Sequence, residues 1–140
     1  MTRDPDCIFC KIVAGEVPCF KLFEDARTLA FMDINPANEG HCLAIPKAHF
    51  PDLFAAPPGA VGEVAELARR LARAVQAALK PDGINLIQSN GPGAAQSVQH
   101  FHMHVLPRRS GDELKINWGL KPGNREAIAL LAEKIRAKLE

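Results

Sequence analysis

Three histidines alternate with apolar residues at positions 100–106, where the sequence reads His-Phe-His-Met-His-Val-Leu. Successive side chains of a β-strand point to opposite faces, so this alternation predicts a strand with all three imidazoles on one face. Phe101, Met103 and Val105 then point the other way, into a core. Imidazole suits proton transfer, nucleophilic attack and metal binding near neutral pH. The chain must therefore form a β-sheet, and the sheet face that carries the three imidazoles is where we expect a functional site.

The remaining patterns predict a single α+β domain over residues 1–140. We expect strands at 20–24, 28–33, 41–46 and 84–89, with the histidines in a strand at 98–107. Helices are predicted at 7–14, at 60–79 and, with an amphipathic pattern, at 125–139. Most strands follow one another directly, with one long helix inserted, which favours an antiparallel sheet of about five strands. Residues 1–6 are expected to be a frayed lead-in.

Composition narrows the classes of partner. The formal net charge is +1 and basic residues are scattered, so we expect no nucleic-acid partner. No apolar run approaches the length of a membrane span, and the first residues lack the apolar stretch of a signal peptide. We therefore expect a cytoplasmic protein that does not interact with membranes and whose four cysteines stay reduced.

A loop of small and polar residues at 89–99 leads directly into the histidine strand. Its glycines allow backbone N–H groups to approach an anion, and Asn90, Gln96 and Ser97 add side-chain donors. The histidines themselves are compatible with a zinc site, with a nucleophilic imidazole or with a polar solvent-exposed face. Donors beside imidazoles, with few carboxylates nearby, suit a phosphate better than a carbonyl or a sugar.

Five segments together resemble the histidine triad family, and the resemblance covers nearly the whole chain. They are Cys-Ile-Phe-Cys-Lys-Ile from Cys7, Phe-Met-Asp-Ile-Asn-Pro from Phe31, Gly-His-Cys-Leu-Ala-Ile-Pro-Lys-Ala-His from Gly40, the loop at 90–96 and the alternating histidines at 100–106. The resemblance implies a homodimeric hydrolase or transferase that binds a purine nucleotide such as AMP and acts on its α-phosphate.

The resemblance also implies roles for individual residues. His102 would attack phosphorus to give a nucleotidyl-histidine, and His104 would contact the phosphoryl oxygens or the bridging atom. Asp33 matches the ribose-binding carboxylate of the family. Asn90, Gln96 and Ser97 would hold the phosphate, and no metal is needed for the chemistry. An apolar slot for the purine would be formed by Ile8, Phe9, Ile12, Phe31 and Ile34.

A second set of residues fits a structural zinc ion. Cys7, Cys10, His49 and His100 form a plausible Cys₂His₂ site, similar to that of bacterial family members that bind zinc in this way. The alternative is a pair of reduced, half-buried thiols. His41 is expected at the start of a strand, near the dimer or nucleotide edge, with no catalytic role.

One residue departs from the pattern of many relatives. Ala95 stands where they have glycine, and alanine there would cost about 1 kcal/mol if the backbone needs a positive φ.

The leading hypothesis is an enzyme that hydrolyses nucleoside 5′-phosphoramidates or related adenylyl conjugates. A diadenosine polyphosphate (Ap₃A/Ap₄A) hydrolase is the alternative within enzymes, because residues 105–112 resemble that branch of the family. A nucleotide-binding interaction module with residual catalysis is the alternative outside them. The two enzymes differ in the leaving group, which is an amine in one and a nucleotide in the other.

Overall fold

Five antiparallel strands form one sheet in the computed structural model, which describes residues 1–140. The strands are β1 (Lys21–Glu24), β2 (Thr28–Met32), β3 (Cys42–Pro46), β4 (Gly83–Ile87) and β5 (Met103–Arg108), in the spatial order β1-β2-β3-β5-β4. The helices are α1 (Ile8–Val13), α2 (Ala60–Leu79) and α3 (Arg125–Arg136). The predicted α+β class and strand number are thus confirmed. None of these helices has the length and apolar character needed to span a membrane.

The histidine strand is shorter than predicted. β5 begins at Met103, so His104 alone of the three histidines lies in the ladder. β3 pairs with β5 as far as Ala44, which lies opposite Met103. Two residues further along β3 is Pro46, which has no N–H group to continue the ladder. The hydrogen-bonded pairing of β3 with β5 therefore ends at Met103, so it does not include His100 and His102.

The alternation of faces nevertheless continues through the residues before β5. Phe101 is fully buried beside Phe50, with ring centroids 5.4 Å apart, and its N–H donates to the Phe50 carbonyl at 2.8 Å. His100 and His102 are buried on the opposite side, where both rings meet Phe9 edge-to-face. The hydrogen bond from Phe101 to Phe50 thus takes the place of strand pairing here. Phe101 and the two histidines still point to opposite faces, as the alternation predicts.

Two apolar clusters cover the two faces of the sheet. On one face, α2 presents an apolar stripe at helical spacing, and its buried members are Ala60, Val64, Leu67, Ala68 and Leu71. On the other face, α1 covers a smaller cluster that contains Leu29, Phe31, Leu43 and Ile45. The buried histidines belong to this second face, between the sheet and α1.

The first residues are not a frayed lead-in, so that prediction is wrong. The carbonyl of Thr2 accepts a hydrogen bond from the N–H of His49 at 2.8 Å. The carbonyl of Asp4 accepts from the N–H of Cys7 at 3.1 Å, and the Asp4 N–H donates to Cys10 Sγ at 3.4 Å. These contacts are made by the backbone, so the polar sequence of the segment gives no sign of them.

Replacing Phe101 by alanine should lower the free energy of unfolding by about 3–5 kcal/mol, because it removes a fully buried ring that anchors the segment before β5. Phe20, which is 71% exposed, offers the same substitution at the surface, where the loss should stay within about 0.5 kcal/mol. Urea unfolding of Phe101→Ala and Phe20→Ala measures both values. Equal losses would contradict this account of the core.

Candidate functional site

A cavity of about 500 Å³ opens beside the histidines, between α1, the ends of β2 and β3, and the residues before β5. His102, His104 and Asp33 lie on its polar side, with Ser97 and His41. Apolar residues line the rest of it, and they are Ile8, Phe9, Ile12, Val17, Pro18, Cys19, Phe31, Met32, Ile34, Leu43 and Val98. The structure thus brings the predicted slot residues together with two of the three histidines.

A larger cavity, of about 610 Å³, lies elsewhere, between the β1–β2 turn and the start of α2. Its lining contains neither histidine nor cysteine, and two of its charged groups, Arg27 and Glu63, form an ion pair at 2.8 Å. The smaller cavity is therefore the candidate site.

His102 has a defined tautomer. Its Nδ1 lies 2.7 Å from the carbonyl oxygen of His100, and a carbonyl can only accept a hydrogen bond. The proton of the neutral ring is therefore on Nδ1, and Nε2 carries a free electron pair. A nucleophilic imidazole needs this arrangement.

His104 has the opposite tautomer, through a chain of two hydrogen bonds. The backbone N–H of Ala37 donates to His41 Nδ1 at 3.0 Å, so His41 carries its proton on Nε2. His41 Nε2 lies 2.8 Å from His104 Nδ1, which must therefore accept. His104 is left with an N–H on Nε2. The cavity wall thus holds one imidazole with a free electron pair and one with a free N–H donor.

Burial keeps these imidazoles neutral. Burial, together with the neighbouring His102 and His41, lowers the pKa of His104 to about 4, although the Asp33 carboxylate partly opposes the shift. Burial also lowers the pKa of His102 and of His41 below the ordinary value of 6.5, although the nearby carboxylate of Asp33 partly opposes both shifts. Neutral rings at physiological pH are what both tautomer assignments require.

Asp33 stands at the entrance to the apolar slot. Its Oδ1 accepts a hydrogen bond from the Asn35 N–H at 2.8 Å, and its Oδ2 lies 3.5 Å from His41 Nε2. Phe9 and Phe31 meet edge-to-face behind it, with ring centroids 5.5 Å apart. A carboxylate beside an apolar slot suits a ligand that joins hydroxyl groups to a flat apolar ring.

The loop before the histidines uses its side-chain amides internally. Gln96 accepts from the Gly91 N–H at 2.8 Å and donates to the carbonyls of Pro51 at 2.7 Å and Val98 at 3.0 Å. Neither Gln96 nor Asn90 lines the cavity, whereas Ser97 does. Gln96 therefore shapes the loop, and its contact with a phosphate stays a prediction.

Asn90 has a similar role. Its Oδ1 accepts from the Leu53 N–H and from the Gln88 amide, each at 2.9 Å, which ties the loop to the neighbouring turn. Ala95 has a φ of 61°, so the position does need the left-handed conformation inferred from the glycine of relatives.

Cys7, Cys10, His49 and His100 form a possible metal site, with one ligand atom of each within 4.8 Å of all the others. The sulfur–nitrogen separations are 3.4 Å from Cys7 to His100, 3.4 Å from Cys10 to His49 and 3.6 Å from Cys10 to His100. The two Nδ1 atoms lie 3.2 Å apart. Tetrahedral zinc, with bonds of about 2.3 Å to sulfur and about 2.0 Å to nitrogen, needs separations of about 3.3–3.5 Å for such pairs. The donor set therefore fits zinc in both chemistry and spacing.

Further groups hold these four side chains in place. His100 Nε2 donates to the carbonyl of Pro46 at 2.8 Å, and the Cys10 N–H donates to Cys7 Sγ at 3.4 Å. Asp4 Oδ2 lies 3.9 Å from His49 Nε2. Orientation of ligating histidines by a carbonyl or a carboxylate is the usual arrangement around a metal in proteins.

The sequence analysis placed His41 near the nucleotide edge but missed its contact with His104, and it missed the contact of Asp4 with His49. The place of His41 beside the cavity could have been found, because the alternation of Leu43 and Ile45 on one face of β3 extends back to His41. Asp4 left no signal, since its position depends on the fold of the first residues around His49.

Comparisons with known proteins agree with this geometry. A family model of the HIT domain matches residues 14–111. Adenosine 5′-monophosphoramidase HNT1 of Saccharomyces cerevisiae is 39% identical over 140 residues, which cover 99% of this chain and 86% of that protein. Adenylylsulfatase HINT3 of Arabidopsis thaliana is 39% identical over 129 residues, which cover 92% of this chain and 64% of that protein.

Two solved structures extend the comparison. A HIT family protein from Bacillus anthracis has a TM-score of 0.89 at 35% identity, over 97% of this chain and 99% of that one. A zinc-bound histidine triad family protein from Mycobacterium smegmatis has a TM-score of 0.74 at 39% identity, over 94% of this chain and 97% of that one.

Acidification should destabilise the protein between pH 6.5 and pH 4. Above pH 6.5 the His104 ring is neutral in both the folded and the unfolded chain. Below pH 6.5 the ring is protonated in the unfolded chain, whereas in the folded chain it stays neutral down to about pH 4. The free energy of unfolding, measured in urea at a series of pH values, should therefore fall across this range. In His104→Gln, which cannot titrate there, the fall should be smaller, and an unchanged pH dependence would contradict the assignment.

Proposed function

This chain belongs to the HIT domain family, and we propose that it is a nucleotide hydrolase that cleaves nucleoside 5′-phosphoramidates or related adenylyl conjugates at the α-phosphate. Attack by His102 would give a nucleotidyl-histidine intermediate, which water then cleaves. Two relatives support this substrate class by their names, one being an adenosine 5′-monophosphoramidase and the other an adenylylsulfatase.

The observation that carries the proposal is the pair of opposite tautomers on one cavity wall. His102 Nε2 is free to attack, because Nδ1 donates to the His100 carbonyl. His104 Nε2–H is free to donate, because Nδ1 accepts from His41. Cleavage of a phosphoramidate needs a nucleophile for phosphorus and is assisted by a hydrogen-bond donor to the bridging nitrogen as the amine departs.

In the first step the Nε2 electron pair of His102 forms a bond to the α-phosphorus, and the phosphorus–nitrogen bond to the amine breaks. The amine leaves with the bonding pair and takes a proton from solvent, while the His104 Nε2–H donates a hydrogen bond to the departing nitrogen. In the second step water attacks the phosphorus, the bond to His102 breaks, and the proton that this water loses returns to solvent. The products are the free amine and the nucleoside monophosphate.

The rest of the cavity suits the nucleotide. Asp33 would accept hydrogen bonds from the ribose hydroxyls, and the slot formed by Ile8, Phe9, Ile12, Phe31 and Ile34 would take the purine. Ser97 and the backbone of its loop would stabilise the charge that develops on the phosphoryl oxygens.

The resemblance to diadenosine polyphosphate hydrolases rests on residues 105–112, and both arginines of that segment are engaged elsewhere. Arg108 forms two bonds of 2.7 Å to Asp112. Arg109 donates to the carbonyls of Leu79 and Lys80 at the end of α2. Neither arginine lines the cavity, so no second nucleotide is held by them there. This favours the small leaving group of a phosphoramidate.

His102→Ala should abolish turnover and leave AMP binding within about threefold, because it removes the attacking nitrogen without touching the slot. Release of AMP from an AMP phosphoramidate measures turnover, and calorimetry measures AMP binding. Ap₄A should be a poorer substrate by kcat/KM when both are assayed side by side. Unchanged turnover in His102→Ala would rule out the covalent route, and AMP binding without any turnover in the wild type would favour an interaction module.

We propose that Cys7, Cys10, His49 and His100 bind a structural zinc ion, which closes its coordination with four protein ligands and takes no part in phosphorus chemistry. The zinc-bound relative from Mycobacterium smegmatis and the tetrahedral spacing of the ligand atoms support this.

Chelation should then remove one zinc per chain and lower the melting temperature by an amount on the order of 10 °C, while the fold survives at low temperature. Metal analysis and thermal unfolding measure the two effects. Cys10→Ser should lose zinc. Cys42 is the control thiol: it lies in β3, where burial raises its pKa to about 11, so Cys42→Ala should keep zinc. Full zinc content in Cys10→Ser would contradict the assignment.

We propose that the protein is a homodimer in which α3 packs on a second copy. One side of α3 exposes Ile128, Leu131 and Ile135, each at least 55% exposed, and no residue of the helix is buried. A helix of 12 residues is marginally stable in water without a surface to pack on. The same chain has an uncovered apolar surface where α2 meets Leu86 of β4, so two copies supply both surfaces.

Sedimentation velocity should give the mass of two chains for the wild type and of one chain for Ile135→Asp. Leu130 is similarly exposed, at 62%, but lies on the opposite side of α3 by the 100° spacing of a helix, so Leu130→Asp should remain dimeric. A monomeric wild type would overturn the proposal.

A further inference from the structure

We propose that the metal centre formed by Cys7, Cys10, His49 and His100 positions His102 for attack, beyond any contribution it makes to stability. The inference rests on the proposed function, because it takes His102 as the nucleophile. The centre reaches this residue by two routes, one through the backbone of His100 and one through α1.

The first route runs through His100, which belongs to both sites. Its Nδ1 faces the metal ligands, and its Nε2 donates to the Pro46 carbonyl at 2.8 Å. A bound ion would therefore hold Nδ1 while Pro46 holds Nε2, and the His100 side chain could no longer rotate. The carbonyl of the same residue accepts the Nδ1 proton of His102 at 2.7 Å. Fixing His100 thus fixes the acceptor that sets the tautomer of the nucleophile.

This restraint matters because Phe101 anchors the segment from the opposite face, while no strand ladder supports the face that carries the histidines. His100 and His102 lie before the start of β5, outside the ladder, and the N–H of Phe101 bonds to a loop carbonyl. Without a metal, the four ligand side chains are joined only by contacts of 3.2–3.6 Å between thiols and imidazoles. Such contacts are weaker and less directional than coordination bonds.

The second route runs through α1. Phe9 lies between the two cysteines in sequence, so an ion bound by Cys7 and Cys10 holds the turn that carries its ring. That ring meets His102 edge-to-face, with centroids 5.3 Å apart and planes at 89°, and it meets His100 at 5.8 Å. The nucleophile is thus confined on one side by a ring whose position depends on the metal ligands.

The consequence concerns the rate of the chemical step. A neutral His102 with its proton on Nε2 would carry its electron pair on Nδ1, which faces the His100 carbonyl, so only the Nδ1–H tautomer can attack phosphorus from the cavity. Loosening the His100 carbonyl admits the other tautomer. Among the residues that line the cavity, only Ile8 and Phe9 lie between the two cysteine ligands, so nucleotide affinity should change less than the rate.

The test compares the full-length protein with and without Zn²⁺, at a temperature where circular dichroism reports the same folded content in both. Ring ¹⁵N shifts of His102, assigned by their absence in His102→Gln, report its tautomer in the resting protein. We expect one Nδ1–H tautomer with Zn²⁺ and a mixture without it. We also expect kcat to fall about 10-fold without Zn²⁺, with the AMP dissociation constant within twofold.

Variants separate positioning from folding. His49→Cys keeps four zinc ligands and should retain both the single tautomer and the kcat of the wild type when zinc is bound, whereas His49→Ala should show the mixed tautomers. Cys42→Ala, away from both sites, should match the wild type. If His49→Ala does not fold, the wild type with and without Zn²⁺ still decides the matter.

The proposal is overturned if the metal-free, folded protein keeps a single Nδ1–H tautomer and an unchanged kcat, or if the wild type takes up no Zn²⁺. Failure of the proposed function would look different. In that case the Zn²⁺-loaded protein would turn over no phosphoramidate, while the ¹⁵N shifts of the resting protein would still report whether the metal sets the tautomer.

Discussion

The hydrogen bond from His102 Nδ1 to the carbonyl of His100 is the interaction on which the site depends. It places the proton on one ring nitrogen and leaves the other with an electron pair that faces the cavity. Burial supports the same state, since a ring with little access to water resists protonation. A backbone acceptor is well suited to this task because its protonation state does not change with pH.

A second backbone group sets the complementary chemistry. The N–H of Ala37 fixes the tautomer of His41, which fixes that of His104 in turn. His102 thereby presents a hydrogen-bond acceptor to the cavity, and His104 presents a hydrogen-bond donor. The three histidines of the motif differ in their partners, which are a backbone carbonyl for His102, His41 for His104 and a possible set of metal ligands for His100.

Sequence reasoning succeeded where the signal is local. Alternation and helical spacing predicted the class of the fold and the opposite facing of Phe101 and the histidines. It failed where a remote partner decides the outcome. The start of β5 depends on Pro46 in the neighbouring strand, and the engagement of Gln96 depends on the carbonyl of Pro51. The contact between His41 and His104 needed the register of two strands, which composition does not contain.

The helix α1 has only six residues, yet it contributes to two sites at once. Its capping residue Cys7 and its member Cys10 are two of the four possible metal ligands, while Ile8, Phe9 and Ile12 line the cavity. Such sharing limits the paths by which the protein can evolve. A substitution in this helix that reshapes the cavity also alters the framework of the possible metal site, so changes in the two sites are selected together.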